Sequence, residues 1–212
     1  LTVESLRSLR TALAFATIEA GNHSIMITGP SPGVGKSFIS ANLAVLIALS
    51  GKKVLLVDAD MRRGHLHDMF GSTREHGLSE ILLGSLDFKS MDKSTGIENL
   101  HFISTGAIPP NPSELLMQSS MMDLLSDAEH HYDVVLVDSP PILAATDAAI
   151  IGRRAGLSLM VVRSGLNSPR EITDTIKRLK SGGVNVKGTI LNGMPLGGTR
   201  YGYGYGYGYG YG

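Results

Sequence analysis

The apolar residues of this chain gather into short runs instead of alternating with polar ones. Residues 25–27, 54–57, 100–103, 134–137 and 157–162 are dominated by Val, Leu, Ile and Met, with a more mixed run at 186–191. Runs of this length without polar alternation suit strands buried on both faces. Helix-compatible segments separate them, and that βαβ alternation predicts an α/β domain. The expected architecture is a mostly parallel sheet with helices on both faces and ligands at the carboxyl ends of the strands. Ahead of the first run, Val3, Leu6, Leu9, Leu13 and Phe15 recur at near-helical spacing, with Thr2 as N-cap and Gly21-Asn22 as the stop. This predicts one amphipathic helix, whose other side carries Glu4, Arg7 and Arg10 as a slanting charged stripe.

Other stretches are less patterned. Residues 71–99 predict only a short helix over 78–83 and carry no assigned chemistry. Residues 105–116 predict a stiff proline-rich loop leading into a helix capped by Ser113. Met117, Met121 and Met122 lie among leucines at helical spacing and are expected in the core. His65, His67, His130 and His131 lack metal-ligand spacing and are expected at the surface or satisfied by neighbours. After Gly193 the composition changes to glycine-rich sequence that ends in six Tyr-Gly pairs, from Tyr201 to Gly212. Such a segment cannot bury a core and is predicted to be disordered unless bound.

The chemistry centres on Gly29-Pro-Ser-Pro-Gly33-Val-Gly35-Lys36-Ser37, between the first apolar run and a helical pattern. Gly33 and Gly35 let backbone amides approach an anion, Lys36 can reach the β/γ-phosphates, and the Ser37 hydroxyl can bind Mg²⁺. The strict spacing is missed by one place, because Pro30 stands where a glycine is usual. Asp58 and Asp138 each end an apolar run, on the edge where the loop opens. With Ser37 they supply the hard oxygen ligands that Mg²⁺ prefers. Lys36, Ser37, Asp58, Asp60 and Asp138 together could run phosphoryl transfer, with Asp58 nearest the acceptor oxygen. Asp60 has two readings, a ligand to metal or water and a cap on the next segment.

Charge and composition narrow the partners. The 212 residues carry 19 basic and 19 acidic side chains, so no net field draws the chain to nucleic acid or an anionic surface. No cysteine is present, which excludes disulfides and thiolate zinc sites and fits a reducing compartment. No apolar run approaches the ~20 residues of a membrane span. The chain opens at Leu1 without a methionine, and is read as a piece of a longer protein.

The loop at 29–37, the Asp58-Ala-Asp60-Met-Arg62 strand end and Val-Val-Leu-Val-Asp138-Ser-Pro-Pro resemble the Walker A, A′ and B motifs of bacterial tyrosine kinases. Glu4-x-x-Arg7-x-x-Arg10, the run from Pro109 to Leu116 and the terminal tyrosines match as well. The resemblance implies a P-loop NTPase-like fold divided into an N-terminal interface helix (1–22), a kinase domain (23–195) and a flexible Gly/Tyr tail (196–212). It implies ATP binding by Pro32, Gly33, Val34, Gly35, Lys36, Ser37, Phe38 and, at the adenine, Asn192. It further implies autophosphorylation of Tyr201, Tyr203, Tyr205, Tyr207, Tyr209 and Tyr211. Glu4, Arg7 and Arg10 would join subunits of a homo-oligomeric ring, often eight-membered in that family. A membrane-embedded partner region at the inner membrane, a cognate phosphatase and a role in exopolysaccharide export complete the expectation. The alternatives are a partitioning-type switch ATPase and a nucleotide-binding assembly module without turnover. Partitioning ATPases carry an extra lysine where this chain has Ser31, which favours the kinase.

Overall fold

The computed structural model describes residues 2–19, 22–90 and 94–194. The six tail tyrosines lie outside these residues, and so does the side chain of Thr2, the expected N-cap. All six runs form strands: β1 Ser24–Thr28, β2 Val54–Asp58, β3 Leu100–Ile103, β4 Val134–Asp138, β5 Leu157–Arg163 and β6 Val186–Asn192. They form one sheet in the order β3-β2-β4-β1-β5-β6. Every neighbouring pair is parallel, so the sheet is wholly parallel and its strands all end at one edge.

The crossovers that parallel pairing requires are helical. In chain order the helices are α1 Thr2–Glu19, α2 Lys36–Ala48, α3 Leu66–Met69, α4 Leu78–Leu82, α5 Pro112–Met117, α6 Ser119–His131, α7 Asp147–Gly152 and α8 Pro169–Ser181. Successive strand residues point to opposite faces, and both faces are covered. Ile25, Ile27, Leu56 and Leu136 pack with Leu43 and Ile47 of α2 and with Leu6 and Leu13 of α1. Met26, Leu55, Val57 and Val137 pack on the other face with Leu78, Leu116, Leu124, Ile151 and Leu179. Each such side chain contributes roughly 1.5–3 kcal/mol by leaving water.

Three expectations are corrected. On α1, Leu6 and Leu13 are buried, but Val3 is 55% and Phe15 68% exposed. The apolar stripe is wider than the surface α2 covers. Ser113 does not cap α5, because the helix begins one residue earlier at Pro112, with Asn111 in the cap position; proline suits the first turn. Met121 is in the core, whereas Met117 and Met122 are each 56% exposed. Gln118, extended at ψ 156°, separates α5 from α6 and breaks the helical phase that would have put all three on one side.

Within residues 71–99, Glu80 ties α4 to the loop after β3. Its carboxylate accepts from the Gly77 amide at 2.9 Å, the Ser79 hydroxyl at 3.0 Å and the Ala107 amide at 3.0 Å. Burial pushes the carboxyl up, but the Ala107 and Gly77 amides and the Ser79 hydroxyl outweigh it and bring it down to about 2. A depressed carboxyl stabilises the fold above its unfolded value of 4.5 and loses that contribution as pH falls through about 2. Glu80→Gln leaves a donor facing donors and is expected to cost about 1–3 kcal/mol near neutral pH. Its penalty should shrink in acid. Urea denaturation at neutral and acid pH measures this, and a penalty independent of pH would refute it.

Candidate active site

From β1 the chain enters the loop 29–35 and turns into α2 at Lys36. Two bends use left-handed backbone, at Gly33 (φ 79°) and Gly35 (φ 96°), and a Cβ on Gly35 would collide with the Asn192 side-chain amide. Donors grip the loop from outside. The Ile142 and Leu143 amides donate to the Gly29 and Pro30 carbonyls at 3.0 and 3.3 Å. Arg163 Nη1 donates to Gly33 O at 3.0 Å, Asn192 Nδ2 to Val34 O at 2.9 Å, and Asn167 Nδ2 to the Ser31 hydroxyl at 2.9 Å. In a trans peptide the N–H points opposite to the C=O. With the Gly33 and Val34 carbonyls drawn outward, the Val34 and Gly35 amides face the other way, as an anion cradle requires.

A cleft of about 410 Å³ opens there, walled by Pro32, Gly33, Gly35, Lys36, Ser37 and Phe38 and, opposite, by Asp60, Arg63, Gly64, His65 and Pro141. A larger cleft of about 570 Å³ lies between α1 and the amino ends of β1 and β4, lined by Arg10, Phe15, His23 and Asp133 among others. Size alone does not locate the chemistry; the larger cleft is at the wrong end of the strands.

Asp58 and Asp138 are register partners on β2 and β4, 0% and 1% exposed. Asp138 accepts from Ser37 Oγ at 2.7 Å and Ser40 Oγ at 2.9 Å. Asp58 accepts from the Leu66 amide at 3.0 Å and the Asp60 amide at 3.3 Å. Burial, followed by the Asp138 charge, pushes Asp58 up to about 8. Burial also pushes Asp138 up, opposed by the Lys36 ammonium and the two serine hydroxyls. Two buried carboxylates with more negative charge than these donors offset, beside a hydroxyl, fit a hard divalent cation, so Ser37, Asp58 and Asp138 suit Mg²⁺. Both readings of Asp60 have support: it lines the cleft, and its carboxylate caps the following turn by accepting from the Arg62 and Arg63 amides.

Residues 22–168 match the family model described as AAA domain. Over 201 residues the chain is 48% identical to the tyrosine-protein kinase wzc of Salmonella typhimurium, which covers 95% of this chain and 28% of that protein. The kinase domain of the Escherichia coli tyrosine kinase ETK matches with a TM-score of 0.89 and 49% identity, covering 97% of this chain and 81% of that one. The chain is an AAA domain of the bacterial tyrosine kinase family. It spans about a quarter of the length of the curated relatives it matches. The septum site-determining protein MinD of Pyrococcus horikoshii, solved with Mg-ADP, has a TM-score of 0.66 at 24% identity, a likeness of fold alone.

In this domain Gly33, Gly35, Lys36, Ser37 and Asp60 line the cleft, while Asp138 and Asp58 lie buried behind them, Asp138 bonded to the Ser37 hydroxyl and Asp58 packed under Gly64. Val34 contributes backbone only, since its side chain is fully buried. Asn192 stands behind the loop, bonded to Val34 O, and does not line the cleft. Glu4 and Arg7 form an exposed ion pair at 3.3 Å on α1, and Arg10 donates to Leu46 O at 3.2 Å. Sequence reasoning missed Ser40, Arg163 and Asn167; His65 is exposed and bonded to Arg63 O, as expected of it, and also lines the cleft. Ser40 had a signal, because it follows Ser37 by three residues and so shares its helix face.

The Asp58 shift predicts a pH dependence. With a folded value of about 8 against the ordinary 3.8, the folded state holds a proton that the unfolded state has released, so stability falls as pH rises through that window. In protein free of nucleotide and magnesium, Asp58→Asn should flatten the decline in unfolding midpoint between about pH 5 and about pH 8. An equally steep decline in the variant would assign the effect to other groups.

Proposed function

We propose that the domain is an ATP-dependent protein-tyrosine autokinase that phosphorylates Tyr201, Tyr203, Tyr205, Tyr207, Tyr209 and Tyr211, in trans within a homo-oligomeric ring. The carrying observation is the buried Asp58–Asp138 pair at the rim of the glycine loop. Binding a nucleotide without metal needs only the loop amides; the buried pair adds a place for the cation that phosphoryl transfer uses. Phosphoryl transfer to a hydroxyl needs a carboxylate to take its proton, and a buried carboxyl raised by its surroundings is a candidate for that role.

In this scheme the tyrosine Oη–H proton passes to an Asp58 oxygen as the new O–P bond forms. The bond from γ-phosphorus to the bridging oxygen breaks, and ADP leaves. Lys36 Nζ neutralises charge on the β/γ-phosphates, the loop amides hold them in line, and Phe38 and Pro32 wall the cleft. Ser37, Asp58 and Asp138 would hold Mg²⁺, which supplies further charge neutralisation on the phosphate oxygens. Asn192 would act at the adenine edge. A membrane region, on the same chain or on an activator, would place the domain at the cytoplasmic face of the bacterial inner membrane. There it would regulate capsule or exopolysaccharide polymerisation and export, with a cognate phosphatase resetting it. The extra length of the relatives leaves room for such a region, and among the described residues no helix is long and apolar enough to cross a membrane.

A switch ATPase is the second reading, because the same glycine loop, Lys36 and carboxylate pair would serve water as acceptor as well as a phenol. Mass spectrometry separates the two: phosphate on tyrosine after incubation with Mg·ATP supports the kinase, and release of inorganic phosphate alone supports the switch. Lys36→Met should lower activity about a hundredfold or more. Mixed with an active chain whose six tail tyrosines are phenylalanine, it should acquire label. Lack of label in a demonstrated mixed assembly would refute transfer in trans.

Glu4, Arg7 and Arg10 are proposed as ring contacts. An exposed pair such as Glu4–Arg7 contributes little within a chain, whereas desolvated interface pairs can cost several kcal/mol when broken. Replacing all three by alanine should give a folded monomer by light scattering. A wild-type domain that is monomeric at every concentration would defeat this assignment.

A further inference from the structure

Arg62, Ser113 and Asp147 come from three elements that the catalytic scheme does not use. Asp147 opens α7, is 1% exposed, and receives the Arg62 guanidinium on both oxygens, from Nε at 3.0 Å and Nη2 at 3.4 Å. The Ser113 hydroxyl, on α5, donates to Asp147 and accepts from Arg62 Nη2 at 3.2 Å. The Asp147 hydrogen bond raises the Arg62 guanidinium above its ordinary value. A forked pair of this kind fixes direction as well as distance.

Its place in the chain gives it a function. Arg62 follows Asp58 by four residues and Asp60 by two, and Asp147 follows Asp138 by nine. The β2–β4 ladder already joins the two carboxylate-bearing segments at their bases, through the Asp58 and Asp138 register and the Ala59 amide on Asp138 O at 2.8 Å. Beyond that point, segment 59–65 leaves the sheet and bends back to form the cleft wall with Asp60, Arg63, Gly64 and His65. Among the described residues, the polar side-chain bonds from this segment to other elements all come from Arg62. The bend is tight, since a Cβ on Gly64 would collide with the Asp58 carboxylate. A shift of the segment would therefore move Asp60 and press on Asp58 together.

We propose that Asp147 is a positioning residue for phosphoryl transfer: through Arg62, and braced by Ser113, it locks the 59–65 wall against the Asp138 loop, so that Asp60 and Asp58 keep a fixed geometry. The proposal rests on the kinase reading only for the word transfer; the locking itself can be measured without turnover.

The test uses Arg62→Gln, Asp147→Asn and the double variant. Arg62 is half-exposed, so Arg62→Gln tests the lock even if Asp147→Asn destabilises the fold. Hydrogen exchange of amides 59–66 should accelerate about tenfold or more in each single variant, with amides of α2 unchanged. The double variant should be no worse than the worse single, because both remove one contact. ADP affinity without magnesium should stay within about twofold, since the loop amides are untouched. Affinity with magnesium and kcat for tyrosine phosphorylation should each fall about tenfold to a hundredfold. Unchanged exchange at 59–66, equal acceleration throughout the domain, or additive effects in the double variant would overturn the proposal. If the wild-type domain itself places no phosphate on tyrosine, the kinase reading fails, while the exchange result still decides the lock.

Discussion

Two aspartates buried side by side set the terms for everything around them. Asp58 and Asp138 are directly opposed on neighbouring parallel strands, with almost no access to water. Carboxylates so placed resist ionisation twice over, through lost hydration and through each other. The surroundings are arranged to offset this: Lys36 lies beside Asp138, two serines of α2 hydrogen-bond its oxygens, and backbone amides reach Asp58. That compensation is partial, as the value of about 8 for Asp58 indicates. A cationic ligand completes it, so the same imbalance that weakens the empty fold favours a metal nucleotide in the cleft.

The glycine loop solves a separate problem by the opposite means. It contributes no charge from its backbone, only direction, and that direction comes from distant residues. Arg163, Asn167, Asn192 and the 142–143 amides engage the outward side of the loop. The cradle is thus set before phosphate arrives, so binding does not have to order it. Rigid loop and strained carboxylates meet at the carboxyl edge because every strand of the sheet runs the same way.

That architecture was legible because a wholly parallel sheet hides both faces of each strand, leaving apolar runs that stand out from the helices. Asp58 and Asp138 were legible for the same reason, as charged residues ending such runs. What stayed hidden depends on pairs far apart in the chain. Ser40 meets Asp138 across 98 positions, Arg163 meets Gly33 across 130, and Asn192 meets Val34 across 158. Local pattern cannot encode those distances; topology does. The α1 stripe failed in another way, because periodicity shows which side of a helix is apolar and not how wide its neighbour is, so Val3 and Phe15 stay exposed. Ser113 was misread because proline one place earlier takes the first turn, which leaves the hydroxyl to bridge Arg62 and Asp147.

The last strand has a consequence for how the loop responds to force. β6 is an edge strand of the sheet, and it ends at Asn192, whose side-chain amide holds Val34 O from behind the glycine loop. A pull on that strand end would reach the phosphate cradle through one hydrogen bond, without crossing the rest of the sheet. The edge of the sheet and the shape of the cradle are in that sense one mechanical unit.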